Sequence, residues 1–369
     1  MQKIKGTFTE ALVFSDTADD YALAQVKMIC SHEAAAGSQI YLMPDVHPGK
    51  IGPVGLTMTV TDKVLPGLVG VDIGCGISIA KIKDKKAELP KLDSVIRKNV
   101  PAGFDIRKKV HHLAEEFDFD RLRCAKHVRQ DKAKLSLGTL GGGNHFIELD
   151  RDEDKNLYLT VHTGSRHLGK EVADFYMSSG QKKLKAKGIE LPYEMTCLEG
   201  ELLSDYLHDL LIAQEYAALN RRIIIDEITK GMKWKMDDSG SSIHNYIGED
   251  RIIRKGAISA RKGEPVIIPI NMRDGIILGE GLGNEDWNFS APHGAGRIMN
   301  REAVKTSFTV SQYKQQMRGI YSTCIDKSTL DEAPFAYRGI EEIAVAIEPT
   351  VRIDKIIKPV YNFKAGGKE

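Results

Sequence analysis

Short apolar runs broken by glycine and polar residues dominate the chain, and they read as strands rather than helices. GLTMTV (55–60), GISIAKI (76–82), FIEL (146–149), LYLTV (157–161) and PVIIPI (265–270) are the clearest. Glycine blocks lie against them: HPGKIGPVG (47–55), GLVGVDIGCG (67–76), GTLGGGNH (138–145), HTGSRHLG (162–169), GEGLGN (279–284) and HGAGR (293–297). Linkers are also glycine-rich, but they are usually serine-rich and free of apolar residues. Here the pattern predicts sheet edges that end in tight turns, where glycine lets the backbone approach a ligand. A helical repeat appears elsewhere. Leu203, Leu207, Leu210, Leu211, Tyr216, Leu219, Ile223 and Ile224 recur near a period of 3.6 and predict a helix over 200–232. Shorter helices are expected over 91–98 and 107–117, and a solvated connection over the lysine-rich, then irregular stretch 181–199. With no internal repeat, low-complexity tract or boundary, the expectation is a single α+β domain over 1–369. Its central β-sheets would be surrounded by helices.

Composition narrows the picture only a little. The 369 residues can bury a large core. Lys and Arg total 52 against 51 Asp and Glu, so any nucleic-acid contact must use a local patch and not the overall field. No apolar run reaches membrane-spanning length, and the start MQKIKGTFTEALVFSD lacks the apolar segment of a signal peptide. Five cysteines (Cys30, Cys75, Cys124, Cys197, Cys324) have no framework spacing, so a reducing cytoplasm is expected.

Asp72 and Cys75 stand three apart among Gly70, Gly74 and Gly76. They read either as a carboxylate and thiolate aimed at one metal site, or as a turn-capping aspartate beside a buried cysteine. His145, His162 and His244 lie in glycine-rich or polar turns. Together with the Asp–Cys pair they form the donor set of a borderline divalent metal such as manganese or zinc. No CxxC or HExxH is present, so the ligands would be gathered by the fold. His293, in SAPHGAGR, has glycine room beside its ring and Arg297 nearby. It reads as a nucleophile for phosphoryl or nucleotidyl transfer, or as a structural histidine at a turn.

The blocks MPDVHPGK, GVDIGCG, LGTLGGGNHFIEL, VHTGSRHLG, HNY, RKGA, HGAGR and DEAP-AYR, in this order, resemble the RtcB family of RNA ligases over nearly the whole chain. The resemblance implies that Asp72, Cys75, His145, His162 and His244 hold two manganese ions, with Cys75 as the bridge. It implies that His293 takes GMP from GTP, with Gly294, Ala295 and Gly296 beside it. Asn144 would touch the nucleotide phosphates. Phe146 would pack on guanine, Glu148 would accept from guanine N1 and N2, and Lys364 and Tyr337 would lie near the base. Arg166 and Lys255 would hold an RNA phosphate, and Asp45 and His47 would line the site. The implied substrates are RNA ends bearing a 3′-phosphate or 2′,3′-cyclic phosphate and a 5′-hydroxyl.

The chain departs from the family in places. His167 stands where members commonly have glycine, and the serine that contacts guanine has no counterpart near Gly275 and Ile276. The chain is also short for the family, which suggests a subgroup that repairs broken RNA. Two decoys are present. Residues 164–170 nearly spell a P-loop, but Glu171 stands where Ser or Thr would hold magnesium. Met272-Arg273-Asp274-Gly275 has arginine in place of the lysine nucleophile of ordinary nucleotidyltransferase ligases. His111, His112 and His208 are expected to be solvated. The rival readings are a metal-dependent phosphatase or phosphodiesterase, and a non-catalytic RNA-binding protein with a vestigial site.

Overall fold

All five glycine-flanked runs become strands: Val54–Thr59, Gly76–Ile82, Phe146–Arg151, Leu157–Thr163 and Pro265–Asn271. The computed structural model describes residues 2–365. Four of these strands enter a seven-stranded antiparallel sheet. Its order is Met236–Ile243, Gly76–Ile82, Leu157–Thr163, Phe146–Arg151, Val351–Phe363, Gly275–Gly281 and Pro265–Asn271. The fifth joins a six-stranded sheet in the order Gln2–Lys5, Glu10–Val13, Ile40–His47, Val54–Thr59, Ile252–Lys255 and Asn245–Ile247. Here one neighbouring pair, Glu10–Val13 with Ile40–His47, is parallel.

The two-residue strand period explains how the larger sheet carries chemistry on one face. Leu157, Leu159 and Val161 point outward and pack with Leu92, Ile96, Ile224 and Ile228 of two helices. The alternate residues point inward. Ile77, Ile79, Phe146, Tyr158, Ile267, Ile276 and Ile357 come from six strands and form one apolar cluster, so the sheet curls over its own inner face. Registered with them are Glu148 opposite Thr160, and His162 between Ile77 and Phe146. A strand buried on both faces reads as a continuous apolar run, and Leu157–Thr163 is buried at every position.

The helix expected over 200–232 spans Gly200–Met232 and stops at Lys233 in the left-handed region (φ 61°). Its first half packs into the core of the six-stranded sheet through Leu203, Tyr206, Leu210, Ala213 and Tyr216. Its last turns reach the outer face of the other sheet through Ile224, Ile225, Ile228 and Met232. Leu211, expected on the buried face, is 43 % exposed; Ile212 and Ala213 are buried instead.

Three further expectations need correction. The stretch 107–117 contains only the short helix His112–Glu115. Residues 181–186 are not a solvated connection but the end of the helix Arg166–Ala186, and Leu198–Glu199 pairs with Lys63–Val64. His111 is buried: its Nδ1 accepts from the Leu113 amide, and its Nε2 faces Glu227 at 3.2 Å. His112 and His208 are exposed, as expected.

Candidate metal and nucleotide site

Five separated side chains converge at the mouth of the curled sheet. Asp72 and Cys75 sit in the turn between the short helix Pro66–Val69 and the strand Gly76–Ile82. Gly74 in that turn has φ 68°, and a Cβ there would lie 3.0 Å from Gln214 Cα of the long helix. Only glycine fits this close approach. His145 immediately precedes the strand Phe146–Arg151, and His162 is the penultimate residue of Leu157–Thr163. His244 is the one residue between Met236–Ile243 in the seven-stranded sheet and Asn245–Ile247 in the six-stranded sheet. Its amide donates to the Cys75 carbonyl at 2.9 Å.

The donor atoms form two triads that share Cys75: Asp72–Cys75–His145 and Cys75–His162–His244. Cys75 Sγ lies 3.5 Å from His145 Nε2 and 3.3 Å from His162 Nε2, and His162 Nε2 lies 3.3 Å from His244 Nε2. Around a tetrahedral ion with bonds of about 2.0–2.3 Å, ligand atoms stand about 3.3–3.6 Å apart. His145 Nδ1 donates to the Leu140 carbonyl at 2.9 Å, and His162 Nδ1 to the Asn144 carbonyl at 3.2 Å. Each Nε2 is thereby left with a lone pair aimed at the cluster, the usual outer-sphere arrangement of a metal-bound histidine. Burial, reinforced by the neighbouring imidazoles, holds His162 and His244 well below the ordinary imidazole range. Burial and the nearby Asp72 push the Cys75 thiol up. Burial opposes ionisation of Asp72, but its contacts with His145 (Nε2 to Oδ2, 3.0 Å), Cys75 and Arg166 together outweigh this and lower it. Neutral imidazoles, a carboxylate and a thiol that needs a cation to ionise fit a divalent ion. By contrast, the grouping His111–His112–Asp226 is a poor ion site. His111 Nδ1 is spent as an acceptor, so its Nε2 carries the proton.

Two consecutive residues of the long helix hold the ligand-bearing turns in place. Asn220 accepts from the Gly138 and Thr139 amides at 2.7 and 3.1 Å and donates to the Thr139 and Gly164 carbonyls. Arg221, 1 % exposed, donates to the carbonyls of Gly74 (2.8 Å) and Thr163 (3.0 Å), which adjoin Cys75 and His162. A guanidinium this deep is tolerated because its donors are satisfied.

His293 closes the site from the six-stranded side. Its ring lies 4.9 Å from that of His244, and its Nδ1 donates to Asp45 Oδ2 at 2.8 Å. Asp45 is fully buried, so the pair fixes the tautomer and leaves the Nε2 lone pair free. His47 Nδ1 contacts the Asp45 carbonyl at 2.9 Å.

Beyond His293, one cavity is lined by Asn144, Phe146, Glu148, Gly294, Ala295, Gly296, Tyr337 and Lys364, with His162, His244 and His47 at its metal end. Every residue expected at the nucleotide faces it. Glu148 is buried, takes a hydrogen bond from Asn362 and is pushed up by burial. Lys364 Nζ is 5.6 Å from the centre of the Phe146 ring. Glu332, unassigned in the sequence, organises this wall. It binds Lys364 Nζ and Tyr337 Oη at 2.7 and 2.8 Å and pairs with Arg297 and Arg301. Burial works against its charge, yet these cations hold it down at about 2. The DEAP block was the signal for it, and a buried carboxylate among basic residues is not visible in a linear reading.

Positions 275 and 276 are inside the sheet, which accounts for the missing serine. A Cβ on Gly275 would meet the Ile357 carbonyl at 2.0 Å, and Ile276 is fully buried. Asn271 and Met272 line the cavity instead. Arg166 lies at the start of its helix near Asp72, donating to the Gly103 carbonyl and Thr139 Oγ1 at 2.9 and 3.2 Å. Lys255 lies beside Gly70 of the Asp72 turn, where burial pushes it down to about 8. Neither faces the nucleotide cavity. His167 pairs with Glu171 at 2.8 Å. The near-P-loop is excluded by geometry: the helix begins at Arg166, so Gly169 and Lys170 are helical and cannot wrap a phosphate.

A profile of the family described as tRNA-splicing ligase RtcB matches residues 25–365. The chain belongs to the RtcB family. Among curated RtcB proteins, RNA-splicing ligase RtcB1 of Escherichia coli (strain ATCC 25922) is 30% identical over 88% of this chain and 90% of its own length. RNA-splicing ligase RtcB of Escherichia coli K12 is 29% identical over the same shares. The tRNA-splicing ligase RtcB of Nanoarchaeum equitans is 27% identical over 86% of this chain and 85% of its own length. RtcB membership and the paired triads agree on a metal-dependent protein. No helix among the described residues is long and apolar enough to cross a membrane.

Proposed function

We propose that this RtcB protein is an RNA ligase that joins a 3′-phosphate, or a 2′,3′-cyclic phosphate once opened to the 3′-phosphate, to a 5′-hydroxyl with GTP. The observation that carries the reading is the pair of buried Asp45 and half-buried His293, which aims an imidazole Nε2 into the same cavity that His162 and His244 enter. His293 Nε2 attacks the α-phosphorus of GTP; the N–P bond forms, the bond to the β-phosphate oxygen breaks and pyrophosphate leaves. The RNA 3′-phosphate oxygen then takes the GMP, releasing His293. Finally the 5′-hydroxyl attacks the activated 3′-phosphorus, and GMP leaves with the bridging oxygen.

Asp45 supports the positive charge that grows on the His293 ring, and the tautomer it fixes keeps Nε2 unprotonated. Glu148 accepts from guanine N1–H and N2–H, a donor pair that adenine lacks. Phe146 packs on the base, Asn144 meets the phosphates, and Tyr337 and Lys364 sit at the base end. Asp72, Cys75, His145, His162 and His244 would hold two divalent ions, manganese by preference, with Cys75 the donor common to both triads. Bound metal supplies Lewis-acid stabilisation of charge on phosphoryl oxygens. Arg166 and Lys255 hold RNA phosphate. We place this function in the cytoplasm, in RNA repair or tRNA splicing, on one domain over the whole chain.

The test is incubation of the protein with manganese, GTP labelled in the α-phosphate, and RNA fragments bearing the two ends. Joined RNA and an acid-labile GMP on the protein are expected. Release of phosphate with no retained label would establish the phosphatase reading instead. Asp45→Asn is expected to slow guanylylation about 10²–10⁴-fold through loss of charge and tautomer control, with metal content unchanged. Metal analysis together with single-turnover label incorporation checks this, and an unaltered rate would remove Asp45 from the mechanism.

A further inference from the structure

A second cavity, of about 530 Å³, opens beside the metal site, lined by Arg97, Phe104, Gly142, Gly143, Arg166 and Lys364. It shares Lys364 with the nucleotide cavity, and its glycines belong to the turn that carries Asn144 and His145. Phe104 stands 89% exposed on its rim. The turn that presents it is firmly held. The Gly103 amide donates to the Gly141 carbonyl at 2.8 Å, the Gly103 carbonyl accepts from Arg166 at 2.9 Å, and Asp105 N closes onto the Ala102 carbonyl at 3.2 Å. A phenyl ring so exposed contributes nothing to the core. The same backbone contacts fix it relative to a metal ligand and to a proposed phosphate-binding arginine.

The setting is basic. Lys108 and Lys109 follow within five positions, Lys98 is on the neighbouring helix Leu89–Asn99, and all three are exposed. Phe104 is the exposed ring of this lining (Phe363, beneath Arg97, is buried), and with Arg97, Arg166 and Lys364 around it the cavity does not suit a peptide, which needs a contiguous apolar surface. It suits a nucleobase, which needs one aromatic platform and nearby charge for its phosphate. Asp105 and Asp326 share the lining and can accept from base amino groups.

We propose that this cavity receives the single-stranded end of the RNA substrate, with a base stacked on Phe104 and the adjoining phosphate on Arg166. The inference rests on the RNA-ligase reading but is separable from it, because loading of His293 with GMP involves no RNA. Phe104→Ala removes an exposed side chain and leaves the folded core untouched. Guanylylation from GTP is expected to match wild type. Stacking contributes about 1–3 kcal/mol per base, so affinity for the bound strand should fall about 5–150-fold. Binding of a 3′-phosphate oligonucleotide and of a 5′-hydroxyl oligonucleotide is measured separately by fluorescence anisotropy. A fall for either strand, restored by Phe104→Trp, supports the proposal and names the strand. Wild-type affinity for both strands in Phe104→Ala overturns it, whereas failure of the wild type itself to take GMP or bind RNA would overturn the underlying reading.

Discussion

His293→Ala is expected to carry no GMP after incubation with GTP and manganese, a loss beyond about 10³-fold, while its metal content equals that of wild type. The separation follows from geometry. His293 is held by Asp45 and stands next to His244, but it belongs to neither donor triad. Intact-mass measurement of the two proteins, with metal analysis of the same samples, reads both quantities. A more distinctive outcome lies downstream. In the proposed sequence His293 forms and breaks its bond to phosphorus before the 5′-hydroxyl attacks, so the variant should still join RNA whose 3′-phosphate already carries GMP. A variant that retains the adduct would show that another residue is the nucleophile. A variant inactive on preactivated RNA would show that His293 also acts in the joining step.

Cys75→Ala is expected to fail at every step, including joining of the preactivated RNA. Cys75 is the member common to both triads; without it only Asp72 with His145, and His162 with His244, remain as pairs. Two side chains are a poor cage for an ion that takes four or more ligands. Metal bound after dialysis should therefore fall to near background, and activity by at least about 10³-fold. Asp72→Ala is the informative companion. It leaves Cys75, His162 and His244 together, so it should keep part of the metal where Cys75→Ala keeps almost none. Equal metal content in Cys75→Ala and wild type would end the shared-thiolate proposal.

Much of this site was legible in the sequence because tight turns at strand ends leave a local trace. Glycines around Asp72, Cys75, His145 and His293 marked where backbone approaches backbone, and the strand-like runs FIEL and LYLTV placed Phe146, Glu148 and His162 in strands or at their ends. What stayed hidden depends on contacts between distant residues. The strand Val351–Phe363 was missed because Arg352, Asp354, Lys355 and Lys358 break its apolar alternation, and its register shifts between Pro359 and Tyr361. Asp45 was assigned to the site without its partner, since 248 positions separate it from His293. Glu332, Asn220 and Arg221 act through buried pairings that have no spacing signature. Phe104 was invisible for the opposite reason: a single exposed aromatic in a loop has no neighbours to form a pattern.

His244 is one residue long as a link between two sheets, and its ring is also a donor in the cluster. Whatever sits among those donors is therefore a rivet through the seam between the two halves of the fold. Its grip on the imidazole is at the same time a grip on the alignment of Asp45 and His293, carried by one half, with Glu148 and Phe146, carried by the other. An ion held there would thus tighten the frame before any substrate arrives, and a protein stripped of it would have a looser joint at the place where the two reacting partners must meet.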